Sequence, residues 1–168
     1  MPTRYSINPD TLAEFLQGDG TVLPRNNHHA NWVGLINDDM KFKRGVLKAV
    51  KRFAESKPYR GNREAKEAKY RALLADLNAV YGLDVNVEFD ADWDTDKSSG
   101  ASRCYIATGY IVLSGRASVV TFLHEFAHAL HGFCERRAVK WSMNLYKRTF
   151  PRSFAKLATN GNNHMATQ

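Results

Sequence analysis

The densest chemistry in the chain is carried by His124, Glu125 and His128, set in the order His124-Glu125-Phe126-Ala127-His128. Residues four apart on an α-helix lie about 40° apart around the axis and about 6 Å along it, so both imidazoles can converge on one ion at roughly 2.0–2.1 Å. Glu125 stands about 60° around from His128, beside such an ion rather than on it. There its carboxylate can take a proton from a zinc-bound water, whose acidity the ion has raised, and pass it to a leaving amine. Six His and seven Glu in 168 residues would give an HExxH pentad by chance in about one chain in a hundred.

Two histidines do not complete a catalytic zinc site, which usually takes three protein ligands and keeps one position for water. Downstream stand His131, Cys134 and Glu135. On a continuous helix His131 would lie about 7.5 Å along the axis from the midpoint of the pair, which suits a residue behind the ligands or facing substrate. Glu135 can reach the ion only if the chain doubles back, and Gly132 supplies the means, because glycine adopts left-handed conformations that end helices. In the metzincin pattern, HExxHxxGxxH, the third ligand follows such a glycine by three residues. Glu135 has that spacing from Gly132, while Cys134 has the metzincin count from the second His. Glu135 ranks first, then Cys134, then a distant ligand such as His28, His29 or His164.

These residues need elements to hold them. Val119, Phe122, Leu123, Phe126, Ala127 and Leu130 form an apolar stripe of period 3.6 that begins after Ser118 and stops at Gly132. A last helix is expected from Glu135, through Ala138, Trp141, Leu145 and Tyr146, past Pro151 into Phe154 and Leu157, with Trp141 in the core. Upstream, Val85, Val87 and Phe89 alternate as in a half-buried strand, and Tyr105 to Leu113 reads as a strand or hairpin kinked at Gly109. Between them Asp90 to Ser102 reads as an acidic loop. Two helices precede the strands, one using Val46, Leu47, Val50, Phe53 and Ala54, the other Tyr70, Leu73, Leu74, Leu77, Val80 and Tyr81, separated by Pro58 to Asn62. A short helix capped by Asn8 and Pro9 and closed by Gly18 is expected at the start, followed by an irregular stretch to Phe42. The expected class is α+β, one domain over 1–159 with a polar, disordered tail at 160–168.

A chain of this length can bury roughly 70% of its unfolded surface, so a metal would serve chemistry more than scaffolding. No stretch approaches the eighteen apolar residues of a membrane span and the N-terminus lacks a signal-peptide core, so a cytoplasmic protein with no membrane partner is expected. Cys104 and Cys134 then read as buried thiols. The net charge of +7 is segregated: Lys41 to Arg71 holds twelve bases against three glutamates, Asp84 to Asp96 holds six acids and no base, and the segment after Glu135 is basic again. Such segregation can attract nucleic acid, although basic helix faces are most often simply solvated.

The run HEFAHALHG resembles the active-site helix of the HExxH zinc metallopeptidases, the zincins. It is similar to their small intracellular ImmA/IrrE-type and SprT-like members and to metallopeptidase-like proteins of phages and mobile elements. The resemblance covers Tyr105 to Trp141. It implies a minimal zincin-like fold, with N-terminal helices, a small sheet whose edge holds extended substrate, the HExxH helix and a C-terminal helix. It also implies Zn2+ held by His124 and His128, with Glu125 as general base, in a hydrolase acting on protein or peptide. Glu135-Arg136-Arg137-Ala138-Val139-Lys140-Trp141 resembles the ExxAxxF helix that carries the third ligand in ImmA/IrrE-type proteins, across a shorter gap. Tyr110, Tyr146, Arg136 and Arg137 are available as oxyanion stabilisers. The alternative is a nucleic-acid-binding or regulatory module on a zincin-like scaffold, acting through the basic helices.

Overall fold

The computed structural model describes residues 32–95 and 102–160; the expected first helix, His28, His29, His164 and residues 161–168 of the expected tail lie outside the described residues, while Asn160 ends the last helix instead of opening the tail. A 3₁₀ turn at Trp32–Leu35 leads into α1 (Arg44–Glu55) and α2 (Arg63–Tyr81). Three short strands follow, β1 (Asn86–Phe89), β2 (Arg103–Tyr105) and β3 (Tyr110–Leu113), and then α3 (Val119–His131), α4 (Glu135–Thr149) and α5 (Pro151–Asn160). The architecture is mixed α+β.

Local chemistry explains the boundaries. Asn62 caps α2 by accepting from the Ala65 N–H at 2.8 Å, and Gly82, at φ 65° and ψ 35°, ends that helix in the left-handed conformation glycine tolerates best. Close packing of α1 on α2 depends on Gly45, where a Cβ would stand 2.7 Å from Val80 Cγ2. Asn78 ties α2 to the sheet, donating to the Val85 carbonyl at 2.9 Å and accepting from the Val85 N–H at 3.1 Å.

The strands order β1-β3-β2, with β1 parallel to β3 and β2 antiparallel to it. Gly109, at φ 67°, closes the β2–β3 hairpin, which resolves the strand-or-hairpin alternative for Tyr105 to Leu113. Alternation then sorts the side chains. Val87, Cys104, Ile111 and Leu113 enter the core, while Asn86, Glu88, Arg103, Tyr105 and Tyr110 belong to the opposite face.

Helix α3 runs beneath the strands, packed on β2, β3 and most extensively on α4. Val119, Val120, Phe122, Leu123, Phe126 and Ala127 are fully buried in one core shared with Phe53, Tyr70, Leu77, Ile111 and Trp141. Cys104 and Cys134 are both buried. The last helix differs from expectation: the chain does not pass Pro151 helically but breaks there into α4 and α5. Proline has no N–H for the helical ladder and disfavours the α conformation before it, and Phe150 sits at φ −130°, ψ 61°. Pro151 then starts α5 at the first helical position, where a missing N–H costs nothing. Among the described residues no helix is long and apolar enough to cross a membrane.

Candidate metal centre

Ser118 begins α3 from an extended backbone, its hydroxyl accepting from the Thr121 N–H at 3.4 Å. Because α3 is covered by sheet and helices, its polar side chains are buried as well: His124 is 8% exposed, Glu125 7% and His128 0%. Burying three ionisable groups in an apolar helix is costly without partners of complementary charge or a metal. The partner comes from the next helix.

Glu135 is the first residue of α4. Only three residues intervene between α3 and Glu135, yet the chain has reversed and brought the Glu135 carboxylate onto both imidazoles, with Oε1 3.0 Å from His128 Nε2 and Oε2 3.1 Å from His124 Nε2. The ligating atoms of His124, His128 and Glu135 lie within 4.8 Å of one another. Donors bound tetrahedrally at 2.0–2.1 Å to zinc stand about 3.4 Å apart. The carboxylate-to-imidazole distances need to open by only a few tenths of an ångström to admit an ion, and two nitrogens with one carboxylate are a donor set zinc accepts. The residues present therefore fit the metal that the spacing anticipates.

Electrostatics follow from this packing. Burial alone would lower the His128 pKa, but the hydrogen bond and charge of Glu135, the charge of Glu125 and the Gly132 carbonyl outweigh it and raise the value from 6.5 to about 9. Burial pushes Glu135 up, and the charges and hydrogen bonds of His124 and His128 prevail, holding its carboxyl well below the usual carboxylate range. Without metal, then, an imidazolium at His128 faces a carboxylate at Glu135 near neutral pH. Glu125 is close enough for its charge to act on His128, beside the ligand cluster rather than within it.

The remaining candidates are elsewhere. Cys134 is buried at the N-cap of α4, where its carbonyl accepts from the Ala138 N–H at 3.1 Å, and it is not part of the ligating group. His131, the last residue of α3, meets Trp141 edge-on at 6.3 Å, and burial, then Arg137 and His128, lower its pKa. Trp141 is core, 4% exposed. Of the four residues considered for an oxyanion, Tyr110 is stacked on Tyr105 at 4.8 Å on the outer sheet face, and Tyr146 is buried and stacked on Phe150 at 5.3 Å. Arg136 and Arg137 stay exposed on the first turn of α4, next to Glu135.

Two features have no counterpart in the sequence reading. The Gly132 carbonyl lies 2.9 Å from His128 Nδ1; in the sequence, a glycine four residues after a ligand signals a turn and does not disclose this contact. At the end of the sheet, Arg103 Nη1 donates to Asp90 Oδ2 at 3.1 Å and to Ser114 Oγ at 3.3 Å, and Ser114 in turn donates to Asp90. This group ties β2 to the ends of β1 and β3, and no local spacing announces it. Comparison of the chain with models of known families, with curated proteins and with solved structures finds no match.

Proposed function

We propose that this chain is a zinc-dependent metallopeptidase of the zincin class, with a minimal zincin-like fold. The observation that carries the reading is the convergence of His124, His128 and Glu135 from two helices, with Glu125 adjacent. His124, His128 and Glu135 would hold the ion. When bound there, zinc supplies Lewis acidity, polarising a carbonyl and acidifying water. Glu125 receives the proton released as the peptide carbonyl is attacked and returns it to the departing amine. Glu125, 7% exposed, lies on the same helix as the two histidines and beside the converging ligand atoms. Strand β2 pairs with β3 and packs on α3, which places the sheet beside the centre.

Protein purified without chelators should carry near-stoichiometric zinc and cleave an unfolded protein substrate. Glu125→Gln should retain the zinc and lose about 10²–10⁴-fold in turnover, the range assigned to a general base. A chain that neither carries zinc nor takes it up when supplied would sink the reading.

A second reading, nucleic-acid binding through the basic helices, is favoured by one observation. Lys41, Arg44, Lys48 and Lys51 are exposed, and their side chains make no hydrogen bond or ion pair among the described residues. Binding to DNA that weakens steeply with salt, unchanged in Glu125→Gln, would support it. Salt-independent or absent binding removes it.

A further inference from the structure

The turn between α3 and α4 does more than reverse the chain. Gly132 sits at φ 88°, ψ −152°, a region occupied essentially by glycine alone. It grips His128 twice: its N–H donates to the His128 carbonyl at 2.8 Å, and its own carbonyl lies 2.9 Å from His128 Nδ1. A carbonyl only accepts, so Nδ1 must carry the proton. In neutral His128 the lone pair is then on Nε2, the atom that faces Glu135 at 3.0 Å. The ring is fully buried, and with both nitrogens engaged neither a flip nor the other tautomer is accommodated.

We propose that Gly132 is a positioning residue of the metal centre: its glycine-only backbone aims its carbonyl at His128 Nδ1 and so fixes the ring and tautomer that present Nε2 to the ion. This rests on the metal-centre reading and adds a requirement to it, namely backbone conformation at a residue that touches no metal. An L side chain would force residue 132 out of φ 88°, ψ −152°, swing the carbonyl off Nδ1 and release the ring. A D residue prefers the mirror image of the extended region, which includes φ 88°, ψ −152°. Chirality at one position thus separates backbone geometry from the mere bulk of a methyl group.

The experiment uses the full chain carrying Gly, L-Ala or D-Ala at position 132. It can be assembled from expressed residues 1–103 and two synthetic segments joined at Cys104 and Cys134. Zinc affinity is measured by chelator competition, the ligand field by visible spectra of the Co2+-loaded protein, and the His128 Nδ1 proton by NMR of the metal-free protein. Gly132→Ala should bind zinc about 10–100-fold more weakly, as loss of an outer partner of a ligating His does, with an altered cobalt spectrum and no protected Nδ1 proton. Gly132→D-Ala should restore all three readouts. Equal affinity and spectra for Gly and L-Ala overturn the proposal, as does a D-Ala chain as impaired as the L-Ala chain. If the Gly132 chain shows the protected proton yet binds neither metal, the metal-centre reading fails while the carbonyl's hold on His128 stands.

Discussion

Helices α1 and α3 are both amphipathic by spacing, yet they handle ionisable residues in opposite ways. In α1 the apolar residues Val46, Ala49, Val50 and Phe53 are buried, and Arg44, Lys48, Lys51 and Arg52 face solvent. In α3 two histidines and a glutamate are buried with the apolar stripe. Much of the basic stretch that includes α1 is absorbed by ordinary structure. Arg52 pairs with Asp76 at 3.0 Å, Lys66 with Asp94 at 3.0 Å and Arg63 with Glu67 at 3.0 Å. Lys69 donates to the carbonyls of Lys57 and Arg60, and Arg71 to that of Val87. A charge in solvent costs little and says little about chemistry, whereas a buried ionisable group is retained against a desolvation cost of several kcal/mol. Two buried imidazoles answered by one carboxylate from another helix, with a buried Glu125 beside them, therefore outweigh the twelve bases of that stretch.

The sharpest way to break this contrast is to remove the carboxylate. Glu135→Ala should weaken zinc by more than about 100-fold, beyond the range produced by outer partners of ligands. Cys134→Ser and His131→Ala should each stay within a few-fold of the parent, because neither residue is in the converging group. Chelator competition on the three variants decides the matter, and equal affinity in Glu135→Ala and the parent would leave Glu135 as a mere ion-pair partner.

The pH dependence sharpens it further through His128 of α3 and its partner Glu135. His128 is raised from 6.5 to about 9, so its contribution to metal-free stability is complete below pH 6.5 and is lost as pH rises towards 9. Glu135 is depressed, so its contribution is present above pH 4.5 and is lost in acid. Zinc requires neutral His128, so across pH 6.5 to 9 its affinity should rise by roughly tenfold per unit while metal-free stability falls. Zinc uptake at pH 7 should accordingly release about one proton, measurable by calorimetry in buffers of different ionisation enthalpy. Affinity and stability moving in the same direction over that window would contradict the paired His128 and Glu135.

How much of this the sequence announced depends on the range of the interaction. The period of Val119 to Leu130, the Ser118 start and the Gly132 stop are local, and α3 emerges with those ends. The alternation of Val85, Val87 and Phe89 is equally local, and β1 is where it indicates. Glu135 could be ranked above Cys134 from the Gly132 spacing, but whether its carboxylate met both imidazoles depended on the α3–α4 packing, which no spacing encodes. Pro151 is a local signal that prevails over period: the apolar positions on either side keep helical spacing, but proline removes a rung of the ladder and the helix breaks. The outer position of Tyr110 was readable from alternation only once the hairpin register was known. The triad of Asp90, Arg103 and Ser114 joins residues 11 to 24 positions apart, and nothing short-range marks it.

That triad offers a smaller effect, intermediate between the two helices. The Ser114 hydrogen bond prevails over partial burial and, with Arg103, lowers the Asp90 pKa, so its stabilisation is present above the usual carboxylate range and lost as pH falls through the lowered value. Asp90→Asn should cost about 1–3 kcal/mol, the usual range for hydrogen bonds to charged groups, reduced by partial exposure. Urea denaturation should show the loss at pH 7, with the difference from the parent shrinking in acid. A difference that persists unchanged below pH 3 would mean that shape, not charge, holds β2.

The smallest expected effect completes the contrast. Lys48→Gln and Lys51→Gln remove charges whose side chains make no hydrogen bond or ion pair among the described residues, so each should change stability by no more than about 0.5 kcal/mol, as surface substitutions usually do. Zinc affinity and hydrolysis should be unaltered. Neighbouring Arg52 does have a partner, Asp76, but their side chains are 66% and 33% exposed, which limits the pair to about 0–1 kcal/mol in water. Arg52→Gln should thus fall between the lysine variants and Asp90→Asn, and salt should erase most of its effect. If the lysine variants instead abolish salt-dependent DNA binding while leaving zinc intact, the cationic face of α1 is a separate binding surface. If they weaken zinc or hydrolysis, the division between a solvated helix and a chemical one is wrong.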